Sequence, residues 1–97
     1  MNYVIKSSKY FKKQFDELDE KSKRIVYNKV QLIKQNPYRY KRIRSKIYSK
    51  VFRIRLNIKS KETRLIYLVV EPNIILVCFL SRKKDYKDLE KYLKNMG

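Results

Sequence analysis

The sequence has no histidine, one cysteine and one glycine, and each of these scarcities removes a class of protein. One cysteine makes a disulfide within the chain impossible, and without histidine the commonest zinc ligands are reduced to a single thiol. The single glycine excludes the glycine-rich loops with which nucleotide-binding proteins surround phosphate groups. Cys78 lies inside the apolar run Ile74 to Leu80, which predicts a small buried side chain rather than a reactive thiol. We therefore expect neither a metal site nor a bound cofactor.

Acidic residues are also scarce, because 9 Asp and Glu stand against 26 Lys and Arg and leave a net charge of +17. The segment from Lys21 to Lys61 carries 15 basic residues and no acidic one. A surface of this kind attracts polyanions and gains affinity by releasing their counterions, so nucleic acid is the expected partner. An acidic membrane surface is the rival partner.

Long apolar runs are missing as well. None approaches the roughly 18 residues that a membrane-spanning helix needs, and Met1 to Lys6 is too short and too soon interrupted by charge for a signal peptide. We therefore expect a cytoplasmic protein that does not insert into a membrane. A chain of 97 residues is enough for one hydrophobic core, so residues 1–97 are predicted to form a single domain.

Two amphipathic helices are predicted after a short strand over Asn2 to Ile5. Ser7 or Ser8 is placed to cap the first helix, and Asp19 is placed to cap the second. Asn36-Pro37 ends the second helix, so the two form a hairpin. Both helices repeat apolar residues at spacings of three and four, which is typical of one buried face: Phe11, Phe15 and Leu18, then Val26, Val30 and Ile33.

Beyond Pro37 the apolar pattern changes to that of β-strands. From Phe52 to Leu56 apolar and basic residues alternate, so Arg53 and Arg55 share one face of a half-buried strand. The last predicted strand is apolar on both faces and should be central in the sheet. The predicted segments are a β-rich stretch from Val51 to Ile58, a loop over Asn57 to Glu62, strands over Thr63 to Val70 and Ile74 to Leu80 with a turn at Glu71-Pro72-Asn73, and a helix over Lys84 to Asn95.

The predicted fold is α+β, in the order β-α-α-β-β-β-α. An N-terminal strand and the helical hairpin pack on a small, mainly antiparallel β-sheet, and a short C-terminal helix closes the chain. We expect the helices on one face of the sheet and a partly open opposite face, to which the arginines point. Short turns favour a meander of the three later strands, which would bring those arginines together.

Three short motifs in this order resemble those of the RelE/ParE toxin superfamily. They are Phe52-Arg53-Ile54-Arg55-Leu56, then Thr63-Arg64-Leu65-Ile66-Tyr67, then Arg82-Lys83-Lys84-Asp85-Tyr86. Each motif alone is weakly specific, but three in sequence behind a helical hairpin that ends in Asn-Pro are more so. The resemblance covers nearly the whole chain and implies a RelE-like fold.

The resemblance implies a type II toxin that cuts mRNA on the ribosome, in the A site, and that an acidic antitoxin holds inactive. In such enzymes the ribose 2′-OH attacks the adjacent phosphate without a metal ion. The implied catalytic residues are Arg55, Arg64, Arg82 and Tyr86, with Arg64 stabilising the phosphate, Arg82 as general acid and Tyr86 orienting a base. Guanidinium groups and an aromatic ring suit these roles, because the former bind phosphate oxygens and the latter stacks on unpaired bases.

Further basic residues are interpreted as contacts to mRNA or rRNA. Arg53 shares the strand face of Arg55, and a second group flanks that strand. The latter group could equally receive the acidic antitoxin. The predicted nucleic-acid-binding residues are Arg53, Arg42, Arg44, Lys46, Lys50 and Lys83.

Two features leave alternatives open. Ser81 stands where many relatives carry histidine, and arginine does not give up a proton readily, so the general base is open among Tyr86, Lys59, Lys61, Glu62, a ribosomal group, or none. A second interpretation of Tyr86 is that it packs under the last helix. At the level of function, the alternatives are a ParE-like gyrase inhibitor without catalysis and a generic basic nucleic-acid-binding protein.

Overall fold

A computed structural model describes residues 2–81 and 83–96, with the backbone alone for residues 83–85. The chain forms three α-helices, one 3₁₀ helix and five strands within these residues. In chain order they are β1 (Val4–Ser7), α1 (Lys9–Asp16), α2 (Glu20–Gln35), β2 (Lys41–Ile43), β3 (Val51–Ile58), β4 (Lys61–Val70), β5 (Asn73–Leu80), the 3₁₀ helix (Lys83–Asp88) and α3 (Leu89–Lys94).

The five strands form one sheet in the order β1-β5-β4-β3-β2. β1 runs parallel to β5, and the other three pairs are antiparallel. The predicted α+β class and the meander of the three long strands are confirmed. The last long strand is interior but not central, because β4 occupies the middle of the sheet. β2 was not predicted, since three residues are too few to show a strand period.

The helical hairpin begins where the sequence places its caps. The Ser8 side chain accepts a hydrogen bond of 3.1 Å from the backbone N–H of Phe11, and the Asp19 carboxylate accepts one of 2.8 Å from that of Ser22. Hydrogen bonds from the side chain and the backbone of Ser22 hold the pKa of the Asp19 carboxyl below its usual range. α2 ends at Gln35, directly before Asn36-Pro37, as predicted.

The sheet carries a core on each face. The larger core lies under the helical hairpin and includes Ile33, Leu65 and Tyr67. The smaller core lies on the opposite face, where Leu89 and Leu93 of α3 pack on apolar side chains of the three long strands, and we call this face the second face. The expectation that all helices share one face is therefore wrong for α3. Its leucines need an apolar partner, and the second face supplies one.

Cys78 belongs to the smaller core and is fully buried, as predicted. Burial raises the pKa of its thiol to about 12. Val77 is the extra residue where the β4–β5 register shifts, since Ile66 pairs with Cys78 and Tyr67 with Leu76. This bulge explains why the neighbours Val77 and Cys78 both face the smaller core.

The β3–β4 hairpin is tighter than predicted. Pairing continues to Ile58 and Lys61, so the loop contains only Lys59 and Ser60, with φ angles of 52° and 65°. Positive φ at both central residues is the geometry that matches the twist of a two-residue hairpin. The tight turn fixes which residues of the two strands lie opposite each other.

In the part of the chain that the structure describes, no helix has the length and apolar character needed to cross a bilayer.

Candidate functional site

The predicted arginines of β3 and β4 meet on the second face of the sheet. Arg55 lies directly opposite Arg64 in the β3–β4 register, and Lys41 lies directly opposite Arg53 in the β2–β3 register. Residues in such pairs project from the same face at close range. Strand alternation also puts Arg53 beside Arg55 on this face. The predicted juxtaposition of the three arginines is therefore observed.

Arg64 is a largely buried charged side chain, with 13% of its side chain exposed. Its Nη1 donates a long hydrogen bond of 3.4 Å to the Ser81 carbonyl, and its Nη2 lies 3.9 Å from a Glu62 oxygen. Its Nε is buried without a hydrogen-bond partner among the described residues. A buried donor without a partner raises the free energy of the folded protein. An anion that accepted a hydrogen bond from it would remove this cost, which favours anion binding.

Tyr86 joins the arginine cluster from the 3₁₀ helix. Its phenol oxygen accepts a hydrogen bond of 3.1 Å from Arg53 Nη1, and its ring centroid lies 5.9 Å from the Arg64 Cζ. Because the oxygen accepts from Arg53, its own O–H is left to donate elsewhere. The same ring packs against the smaller core. Tyr86 therefore packs against the smaller core and also contacts Arg53 and Arg64, while its orientation of an RNA base stays a prediction.

Glu62 brings a carboxylate to the arginines. Its Oε1 lies 3.3 Å from Arg55 Nε and 3.9 Å from Arg64 Nη2. The Arg55 and Glu62 side chains are 60% and 52% exposed, so solvent screens this pair. Glu62 lies opposite Asn57 and shares the face of Arg64, whereas Lys61 lies opposite Ile58 and shares the other face.

The arginines and Tyr86 line an open cleft of about 290 Å³. The cleft is strongly cationic, and like charges directly opposite on a sheet repel each other. A bound anion would offset that repulsion. Lys41 was missed by sequence reasoning, and the signal that identifies it is the pairing of β2 with β3. The lining residues are Lys41, Arg42, Ile43, Arg53, Arg55, Arg64 and Tyr86.

The other predicted nucleic-acid contacts fall into two groups. Arg42 donates a hydrogen bond of 2.8 Å from Nε to the Ser49 carbonyl and also lines an adjoining pocket of about 440 Å³ with Arg44. Lys46 and Lys50 do not line the cleft. The Lys46 backbone N–H binds Glu90 of α3, and the Lys50 ammonium lies over the Tyr38 ring at 5.7 Å.

Arg82, the predicted general acid, lies outside the described residues, and so does the side chain of Lys83. Among the described residues, no three His, Cys, Asp or Glu side chains form a group that could hold a metal ion.

Comparison with solved structures shows which known fold this is. A free-state variant of E. coli RelE toxin, with two arginines replaced by alanine, matches with a TM-score of 0.77 at 15% identity over 98% of this chain and 99% of that chain. The chain has the fold of RelE. The intact E. coli RelBE toxin–antitoxin complex matches with a TM-score of 0.67 at 13% identity, over 84% of this chain and 98% of that chain. Isolated E. coli RelE matches with a TM-score of 0.66 at 16% identity, over 94% and 98%.

The likeness to RelE lies in the fold rather than in the amino-acid sequence. No protein-family model matches the chain, and no curated protein matches it either. The predicted RelE-like fold is confirmed by the structural match over nearly the whole chain. Because one fold can support different activities, the function of this chain depends on the residues of the cleft and not on the fold alone.

Proposed function

We propose that this protein is the toxin of a type II toxin–antitoxin system and that it cuts mRNA on the ribosome. The fold it shares with E. coli RelE supports the first part, and the cationic cleft supports the second. An mRNA bound to ribosomes is a cytoplasmic substrate, so we propose the same compartment for the protein.

One observation carries the proposal of phosphate chemistry. Arg55 and Arg64 face each other across two paired strands, and Arg64 offers a buried Nε that lacks a partner among the described residues. Two guanidinium groups at this spacing suit the oxygens of one phosphodiester, which accept paired N–H donors. Arg64 is packed on three sides by Ser81, Glu62 and Tyr86, so its position is set before the substrate arrives.

The proposed reaction transfers the phosphodiester to the neighbouring 2′-OH. The bond between O2′ and phosphorus forms and the bond between phosphorus and O5′ breaks, which leaves a 2′,3′-cyclic phosphate and a 5′-OH end. Arg55 and Arg64 stabilise the extra negative charge of the phosphorane, an effect that is usually the largest contribution to such catalysis. Two guanidinium charges serve where other nucleases use a metal ion. Arg82 remains the predicted donor of the proton to O5′.

Tyr86 and the remaining basic residues are proposed to orient the RNA. The Tyr86 ring borders the cleft beside Arg64, where a base unstacked from single-stranded RNA can lie against it. Arg53, Arg42 and Arg44 line the cleft or its neighbouring pocket and are proposed to bind backbone phosphates. Lys83, Lys46 and Lys50 are proposed to contact mRNA or rRNA more peripherally.

An acidic antitoxin is the proposed protein partner. The protein with a similar fold in the RelBE complex is bound to its antitoxin. The net charge of +17 favours a partner of opposite charge, and such a partner would mask the cleft electrostatically.

Induced expression followed by mapping of mRNA ends tests the function. We expect cuts in phase with codons, and a loss of about 10²- to 10³-fold in cutting for Arg64→Ala, as for removal of one preorganised donor. Arg24→Ala, which removes the same group from the exposed surface of α2, is the matched control and should cut normally. Gyrase-dependent DNA breaks without mRNA cuts would favour the ParE-like alternative. The absence of both mRNA cuts and DNA breaks would favour a generic nucleic-acid-binding protein.

A further inference from the structure

Among the residues whose side chains the structure describes, Glu62 is the acidic residue that contacts both Arg55 and Arg64, and the proposed binding of phosphate does not explain its presence there. A single oxygen, Oε1, lies 3.3 Å from Arg55 Nε and 3.9 Å from Arg64 Nη2. We propose that Glu62 is the proton acceptor for the attacking 2′-OH. This inference rests on the proposed function and adds the general base that the absence of histidine leaves open.

Geometry supports this assignment. A phosphate held by the guanidinium groups of Arg55 and Arg64 lies next to the carboxylate that contacts both of them. The attacking O2′ approaches phosphorus to about 3–3.5 Å before reaction, and a general base must lie within about 2.6–3.2 Å of the proton donor. Since Glu62 Oε1 lies 3.3 Å from Arg55 Nε and 3.9 Å from Arg64 Nη2, an O2′ that attacks a phosphate held by these groups can approach the carboxylate. The two guanidinium cations also offset the repulsion between the two anions that they bridge.

The other candidate bases in the chain are less well placed. Lys61 lies opposite Ile58 and therefore belongs to the opposite face of the sheet. Lys59 occupies the hairpin turn, and a protonated lysine has no lone pair with which to accept a proton. The Tyr86 oxygen already accepts a hydrogen bond from Arg53. Glu62 alone among the four combines an acceptor with direct contact to Arg55 and Arg64.

Proton transfer to Glu62 is coupled to the charge change at phosphorus. The O2′–H bond breaks and its proton goes to a Glu62 oxygen, while the O2′–phosphorus bond forms. The carboxyl is then neutral and no longer attracts the two guanidinium groups. At the same moment the phosphorane gains a negative charge. Arg55 and Arg64 therefore interact more strongly with the phosphorane once the Glu62 carboxyl is neutral. The phosphorus–O5′ bond then breaks, and O5′ takes up a proton from the predicted donor Arg82.

The position of Glu62 also assigns a direction to the RNA strand. Glu62 borders a second cleft of about 410 Å³ with Asn57 and Lys29, and Arg55 lines both this cleft and the one that contains Tyr86. The nucleotide that carries the attacking 2′-OH then lies at the Glu62 end. The following nucleotide, which leaves with O5′, lies at the Tyr86 end.

The test compares Glu62→Gln with wild type on programmed ribosomes, under single-turnover conditions and across a range of pH. The charged groups that face Glu62 are Arg55 from β3, Arg64 from β4 and Lys29 from α2. Glu62→Gln keeps the size of the side chain, and we expect its maximal rate to fall about 10²-fold or more. We expect the rate of wild type to fall at acid pH and this fall to be absent in Glu62→Gln. Glu62→Asp should recover part of the rate.

Binding separates a base from a merely structural ion-pair partner. Glu62→Gln removes an anion next to Arg55 and Arg64, so its affinity for an uncleavable RNA with a 2′-deoxy substitution should stay equal or rise while the rate falls. Glu17→Gln makes the same chemical change beside α1 and should leave both quantities unchanged. Thermal unfolding should give similar midpoints for all these variants.

The outcomes distinguish this inference from the proposed function. If wild type cuts and Glu62→Gln cuts within about threefold of it with the same pH profile, the base assignment is wrong and the nuclease proposal stands. If Glu62→Gln loses its activity only through weaker binding, Glu62 is structural and the assignment is again wrong. If wild type itself cuts no RNA on ribosomes, the proposed function fails first.

Discussion

The two faces of the sheet are made by the same strands and have opposite characters. On the face covered by the helical hairpin, Ile54, Leu56, Leu65 and Tyr67 are all at most 5% exposed. On the second face, an apolar cluster packs against the leucines of α3, and the open cleft carries the arginines. Because side chains alternate along a strand, β3 and β4 each contribute residues to both faces of the sheet. Coverage by helices, rather than the strands themselves, decides which part of the sheet is core and which is cleft.

This difference separates stability from chemistry. Arg55 and Arg64 lie directly opposite each other, which is unfavourable for like charges. The covered face supplies the apolar burial that keeps this arrangement folded. We therefore expect substitutions on the covered face to change stability, and substitutions in the cleft to change function with little change in stability.

The largest effect on this comparison should come from Leu65→Ala. Leu65 is fully buried on the central strand, and truncation of such a leucine costs about 2–5 kcal/mol in the free energy of unfolding. Urea denaturation followed by circular dichroism measures the loss. Leu32→Ala on α2, where the side chain is 40% exposed, should cost clearly less. Equal losses for the two variants would contradict the claim that side chains buried on the covered face determine stability.

Tyr67→Phe should have an intermediate effect that depends on pH. The Tyr67 hydroxyl donates a hydrogen bond of 2.6 Å to the Pro37 carbonyl, and removing it leaves a buried acceptor unpaired at a cost of about 1–3 kcal/mol. Burial raises the pKa of this phenol above its ordinary value of 10.0, so the folded state holds the proton more tightly than the unfolded state. The stabilisation is complete below pH 10.0 and is lost as pH rises beyond it.

The free energy of unfolding of Tyr67→Phe, measured between about pH 9 and 12, tests this directly. That range includes the ordinary phenol pKa of about 10. The fall in stability with rising pH should be less steep than in wild type. Tyr27→Phe, at a tyrosine that is 61% exposed, should keep the wild-type slope. A Tyr67→Phe slope identical to wild type would show that Tyr67 does not control the alkaline limit.

Arg55→Gln should have the smallest effect on stability. The variant loses an exposed ion pair with Glu62 and also loses the repulsion from Arg64, so the net change should stay within about 0.5 kcal/mol. Its affinity for single-stranded RNA should depend less on salt, with the slope of log affinity against log salt reduced by about 0.7. Lys13→Gln on α1 removes the same charge and should leave the slope unchanged. A slope unaltered by Arg55→Gln would remove Arg55 from the RNA-binding surface.

Much of the fold was predictable because its signals are local. The caps Ser8 and Asp19, the helical spacings and the alternation from Phe52 to Leu56 are each contained within a few neighbouring residues. The face of α3 was not predictable, because two leucines at helical spacing fit an apolar surface on either side of a sheet. Strand order is likewise set by pairing between distant segments, which no local pattern records.

The candidate site shows the same limit. The arginines were found from strand motifs, but the contact of Glu62 with both Arg55 and Arg64 depends on the register of the hairpin. That register follows from a two-residue turn without glycine, whose positive φ angles at Lys59 and Ser60 are unusual for these residue types. Sequence reasoning therefore predicted a longer loop and left the proton acceptor among several candidates.

Cys78 gives the molecule a reporter of its own opening. The chain has one cysteine, so a thiol-modifying reagent labels each molecule at one site. Such reagents react with the thiolate, and burial beneath α3 both shields Cys78 and raises its pKa to about 12. Labelling of the native protein must then wait for that part of the sheet to become exposed, and its rate reports how often the cover of the second face is lifted.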